Sequence, residues 1–135
     1  MKFISAFLVV LFSVAFTNAL KDPAAMMKIA KDCKESTGAS DADVGKIMSH
    51  SEVDTKEGKC MFNCLMEAMG VVKGGQFIKE SAIKCTKEFG APDDVAVKII
   101  DECSKISDAD PCELSTKLAY CFKAEGKKYG HDIGI

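Results

Sequence analysis

Two hydrophobic patterns divide the chain. Residues 3–16 form a 14-residue run, almost wholly apolar and broken only by Ser5 and Ser13. Beyond it, apolar residues recur at three- and four-residue spacing, which is the helical period. Few segments alternate with period two, and β-branched residues do not gather into strand-like runs. The pattern predicts an all-α domain.

Six helices can be placed. Asp22-Pro23 is a strong start, with Asp as N-cap and Pro at the first helical position. Met26, Ile29, Ala30 and Cys33 follow at helical spacing, and Gly38 marks the end. A short second helix begins at Ser40, with Val44, Ile47 and Met48 as its apolar face; residues 50–56 read as a polar loop. The third covers residues 57–69, with Cys60, Met61, Cys64, Leu65 and Ala68 on one face and Gly70 as terminator. Val71-Val72 reads as a connector and Gly74-Gly75 as a turn. A fourth helix is expected over residues 76–88, carrying Phe77, Ile78, Ala82, Ile83 and Cys85, closed by Gly90. Pro92 opens the fifth, with Asp93 and Asp94 near its positive dipole end and Val95, Val97, Ile99, Ile100 and Cys103 as apolar positions. Asp110-Pro111 opens the sixth, which runs through Leu114, Leu118, Cys121 and Phe122 to an expected end at Gly126. A short tail follows, its two isoleucines expected to be exposed.

The N-terminal run has the grammar of a secretory signal. Lys2 supplies the basic start, and Thr17-Asn18-Ala19 places small residues at a cleavage site. The run is too short to span a bilayer, which takes about 20 apolar residues. The expected division is therefore a signal peptide over residues 1–19 and one helical domain over residues 20–135. The protein is expected to be secreted and extracellular, without stable membrane insertion.

Charge narrows the partners. All 18 basic residues are Lys, and removing Lys2 leaves 17 against 20 acidic residues, net −3. A nucleic-acid binder needs a clustered basic face, so none is expected. The absence of Arg also removes the best bidentate clamp for phosphate or carboxylate.

Seven cysteines stand at 33, 60, 64, 85, 103, 112 and 121. In an oxidising compartment they read as a disulfide framework with one left over. Six cysteines allow 15 pairings, and spacing does not choose among them. A zinc site is the alternative, but there is no Cys-x-x-C pair, and neither His50 nor His131 lies close to a cysteine. No metal and no cofactor are expected. Cys60 and Cys64 lie one turn apart on one helix face, so each can bridge to a different neighbour.

The intervals between six of these cysteines are 26, 3, 38, 8 and 8 residues. This spacing resembles that of the insect odorant-binding proteins of the six-cysteine type, which includes pheromone-binding proteins. The stretch Cys64-Leu65-Met66-Glu67, then Gly70-Val71 and Gly74-Gly75, is also similar. The resemblance covers essentially the whole chain after the signal.

The resemblance implies a compact six-helix, disulfide-stapled domain enclosing an apolar cavity. It implies the pairings Cys33–Cys64, Cys60–Cys112 and Cys103–Cys121. Cys85 departs from the family pattern and is expected to be a buried free thiol, with a reactive thiol or an interchain bond as the alternatives. The implied function is a secreted carrier that binds and solubilises odorants, pheromones or similar lipophilic molecules for transport to chemoreceptors. The alternative is an interaction protein or non-olfactory carrier in salivary, reproductive or haemolymph fluid. Expected partners are a small hydrophobic ligand and an odorant receptor, with the chain a monomer or weak homodimer.

Candidate lining residues are Met48, Met66, Met69, Phe77, Ile83, Phe89, Val97, Leu118 and Phe122; plain core packing is the alternative for each. Thioether side chains suit a wall that repacks around varied shapes. Ser115, Tyr120 and Tyr129 offer hydroxyls for a polar ligand group. The tail is a second candidate, with Ile133 and Ile135 suited to the inside and His131 as a titratable group. Catalysis is not expected. The chain has only two histidines, neither in a nucleophile or zinc-protease motif, and its acidic residues show no calcium-loop spacing. Adjacent cysteines, needed for phospholipase A2 or plant lipid-transfer patterns, are absent.

Overall fold

The computed structural model describes residues 22–133. The expected signal peptide over residues 1–19 and the expectation for Ile135 lie outside the described residues. Within them the chain forms α1 (Pro23–Thr37), α2 (Asp41–Met48), α3 (Lys56–Ala68), β1 (Val72–Lys73), β2 (Gln76–Phe77), α4 (Lys79–Glu88), α5 (Asp93–Cys103) and α6 (Pro111–Lys128). The fold is all-α apart from one short hairpin.

Local chemistry sets the helix ends. The Asp22 carboxylate accepts from the Ala24 amide at 3.0 Å, with Pro23 at the first helical position. Ser40 and Asp43 form a reciprocal capping box at the start of α2. Asp43 is buried, and its other oxygen accepts from the Thr55 hydroxyl at 2.6 Å. Thr55 in turn caps α3 by accepting from the Gly58 amide at 3.0 Å. One carboxylate thus ties two helix starts together. Asp110 caps α6 in the same manner as Asp22 caps α1, accepting from the Cys112 amide at 2.8 Å.

Two local expectations are corrected. Gln76 and Phe77 belong to a strand, and the helix begins at Lys79. Gly74 and Gly75 both have positive φ, at 58° and 77°, which is what a tight two-residue hairpin turn demands. Val72 therefore pairs with Phe77, and Lys73 with Gln76. The second correction concerns Gly126, which is buried inside α6 instead of ending it; the helix continues to Lys128.

α3 is the hub. It packs most extensively on α6 and then on α1, while α4 packs on α5 and α5 on α6. The cysteines staple these contacts. Cys33–Cys64 joins α1 to α3, Cys60–Cys112 joins α3 to α6, and Cys103–Cys121 joins α5 to α6. Short helices are marginal alone, and each bridge constrains the unfolded chain by about 3–4 kcal/mol on the chain-entropy estimate.

The interior divides into two apolar clusters. The smaller centres on Ile47, Val53, Met61, Phe62 and Leu65, packed around Cys33. The larger is built from α3, the hairpin, α4, α5, α6 and the tail. Ala119 of α6 packs against both.

Candidate apolar binding site

The larger cluster gathers most of the lining residues that the sequence proposes. Met66 and Met69 come from α3, Leu118 and Phe122 from α6, and all four are buried. Phe77 of β2 and Ile83 of α4 are partly buried against them. The rings of Phe77 and Phe122 meet with centroids 6.1 Å apart. Residues from four separate elements thus converge, because α3 and α6 cross at the hub and the hairpin folds Phe77 back onto them.

Three proposed lining residues lie elsewhere. Met48 is 74% exposed, and Phe89 and Val97 are each 41% exposed. The reasons are angular. Ile47 takes the inward position on α2, which turns its neighbour Met48 about 100° away. On α5 the inward stripe is Ala96, Ile99, Ile100 and Cys103, so Val97 faces out. Phe89 is the C-cap of α4, past the last turn that packs inward. The α5 stripe itself is a wall of the cluster that the sequence reading did not select. Its i, i+3, i+4, i+7 spacing was the available signal.

Two of the three candidate hydroxyls are already engaged. Ser115 is fully buried and donates to Asn63 Oδ1 at 2.9 Å. The Tyr120 hydroxyl accepts from the Val53 amide at 2.7 Å. Tyr129 is exposed. Buried Thr86 and Thr116 each return a hydroxyl hydrogen bond to the carbonyl four residues back, at 2.8 Å. Among the described residues no buried side-chain nitrogen or oxygen lacks a partner. The larger cluster is therefore an almost purely apolar environment.

Cys85 belongs to that cluster as an unpaired, buried thiol. Burial pushes its pKa up to about 11, with the nearby Glu88 carboxylate adding to the rise. A thiol so placed is a small hydrophobe and not a nucleophile.

The tail completes the site. Ile133 is buried in the larger cluster, so it takes the inward placement suggested for the tail and not the exposed one. It arrives there because the His131 amide donates to the Gly126 carbonyl at 2.9 Å, turning the chain back along α6. Gly130, with φ 74°, makes that reversal possible.

Residues 16–125 match the PBP/GOBP family. The chain belongs to this family, the insect odorant-binding proteins. Members of the family are odorant-binding carriers rather than enzymes. Its curated relatives include the general odorant-binding protein 28a of Drosophila melanogaster, 29% identical over 131 residues, covering 90% of this chain and 92% of that protein. General odorant-binding protein 19d of the same species is 29% identical over 112 residues, covering 78% of this chain and 75% of the relative. Among solved structures, odorant-binding protein dmelOBP28a superposes with a TM-score of 0.71 at 29% identity, over 78% of this chain and 93% of that one. The fatty acid binding protein OBP56a from the blowfly Phormia regina shares the fold, with a TM-score of 0.67 at 20% identity, over 78% and 91% of the respective chains. The family's six-helix frame is thus present here, with Cys85 as this chain's additional thiol.

Proposed function

We propose that this odorant-binding protein is a secreted carrier that takes small hydrophobic molecules into its larger apolar cluster and delivers them to chemoreceptors. The convergence of Met66, Met69, Phe77, Ile83, Leu118 and Phe122 from four elements carries this reading. Such a site binds by removing apolar surface from water, at about 25 cal/mol per Å². A ligand burying on the order of 300 Å² gains about 7–8 kcal/mol before the several-kcal/mol cost of association. Useful affinity therefore needs a long apolar ligand. Met66 and Met69 are the adaptable part of the wall.

The leader expected over residues 1–19 and three disulfides support an extracellular setting. Among the described residues no helix is long and apolar enough to cross a membrane.

The test is displacement of a fluorescent apolar probe from the oxidised mature protein by long-chain alcohols, esters, aldehydes, terpenoids and fatty acids. Saturable, competed binding at micromolar concentrations supports the carrier reading. Absence of probe binding by protein with all three bridges formed overturns it in favour of action through the surface.

A further inference from the structure

α4 turns one face to the larger cluster, and one residue on that face is polar. Ala82, Ile83 and Cys85 pack in the cluster, and Thr86 is 3% exposed. Successive helical residues are about 100° apart. With Ala82 as origin, Cys85 stands about 60° to one side, Thr86 about 40° to the other, and Ile83 about 100° beyond. Thr86 therefore lies within the arc that faces the cluster, flanked by apolar neighbours. The chain also returns beside it. The Ala91 amide donates to the Thr86 carbonyl, and Ala91 is itself a member of the cluster.

The direction of the Thr86 hydrogen bond decides what the group can offer. Its hydroxyl donates its single hydrogen to the Ala82 carbonyl at 2.8 Å. The oxygen keeps its lone pairs, so it can accept a second bond but has no hydrogen to give. The other buried hydroxyls of α6 are committed in the same sense. Ser115 donates to Asn63 Oδ1, and Thr116 donates to the Cys112 carbonyl. Among the described residues of the cluster, the side-chain hydrogen left on a heteroatom is the Cys85 S–H, a weak donor.

We propose that Thr86 is a specificity-determining residue of the binding site, an internal hydrogen-bond acceptor that selects ligands carrying an O–H over carbonyl compounds of the same carbon skeleton. The proposal rests on the carrier reading and specifies which polar group the interior tolerates.

The discrimination follows from what each ligand group loses on leaving water. A ligand O–H regains a partner by donating to Thr86 Oγ1. A ligand carbonyl can only accept, and it meets no free O–H or N–H side chain in the cluster. A buried acceptor without a partner bears the full cost of its desolvation. For Thr86 to serve a carbonyl, its hydrogen would have to leave Ala82. Valine has nearly the shape of threonine, so packing alone does not call for a hydroxyl at this position.

The experiment measures displacement of the same apolar probe by a long-chain secondary alcohol and by the methyl ketone of the same skeleton. The two differ by two hydrogens, and neither is ionised. The wild type is expected to bind the alcohol about threefold to tenfold more tightly, the range for one net hydrogen bond. In Thr86→Val the alcohol-to-ketone ratio should fall to about one, and Thr86→Ser, which keeps the hydroxyl, should retain the preference. A wild type that binds the ketone as tightly as the alcohol overturns the proposal, and this arm decides alone if Thr86→Val does not fold. Equal weakening of both ligands in Thr86→Val also overturns it, since that is the signature of packing. Both of these outcomes leave the carrier reading intact. Failure of the wild type to bind the probe removes the carrier reading and the proposal together.

Discussion

The carbonyl oxygen of His131 lies 2.8 Å from the position that a β-carbon on Gly126 would occupy. The Ile133 side chain lies 3.2 Å from the same point. Gly126 is therefore the notch in which the tail is seated, and its lack of a side chain has a packing reason inside an otherwise ordinary helix.

Gly126→Ala tests that seat. A helix-interior Gly→Ala change favours the helix by about 0.5–1 kcal/mol, and displacing a packed backbone costs about 1–3 kcal/mol. The second effect wins, because the obstructing atom is backbone. The variant is expected to lose a little stability and to release the tail. Amide exchange at residues 130–133 should speed up much more than exchange in α3.

Asp43 gives the molecule an acid-sensitive joint. The Thr55 hydroxyl, followed by the Ser40 amide, holds its carboxyl below the usual carboxylate range. A lowered folded-state pKa stabilises the protein above the unfolded pKa and ceases to do so as pH falls through the folded value. Part of the loss of stability below about pH 4 should come from this group. Asp43→Asn should be less stable at neutral pH and show a shallower decline in acid, as read by urea denaturation at each pH.

Cys85 should be chemically silent. With its pKa raised to about 11 and its side chain buried, the thiolate is scarce and shielded at neutral pH. A thiol reagent should label no cysteine in the native protein and one in the unfolded, unreduced protein. Rapid native labelling, or a covalent dimer on a non-reducing gel, would contradict this placement.

The three bridges should differ in worth. Cys60–Cys112 closes the longest interval, 52 residues, and Cys103–Cys121 the shortest, 18 residues. On the chain-entropy estimate their removal costs about 4 and about 3 kcal/mol respectively. Paired Cys→Ala variants compared by denaturant midpoint should follow that order.

Much of this architecture is legible in the sequence, for identifiable reasons. Asp22-Pro23 and Asp110-Pro111 announce helix starts because Asp caps and Pro has no amide to lose. Gly74-Gly75 reads as a turn, but the strands beside it do not, because Gln76 and Phe77 also fit a helical apolar pattern; the positive φ of both glycines sets Val72 against Phe77. Met48 and Val97 were misplaced by reading apolar character without helical phase, since Ile47 and Ala96 hold the inward positions beside them. Gly126 reads as a terminator in one dimension, and its role depends on a tail that returns through space.

The most direct test of the central claim is NMR of the methionine methyl groups during titration with a long-chain ligand. Met66 and Met69 lie in the larger cluster, Met61 in the smaller one, and Met27 and Met48 are exposed. The account predicts saturable shifts at Met66 and Met69, with Met27 and Met48 unmoved. A ligand that displaces the apolar probe yet shifts only Met27 and Met48 would place binding on the surface and contradict it.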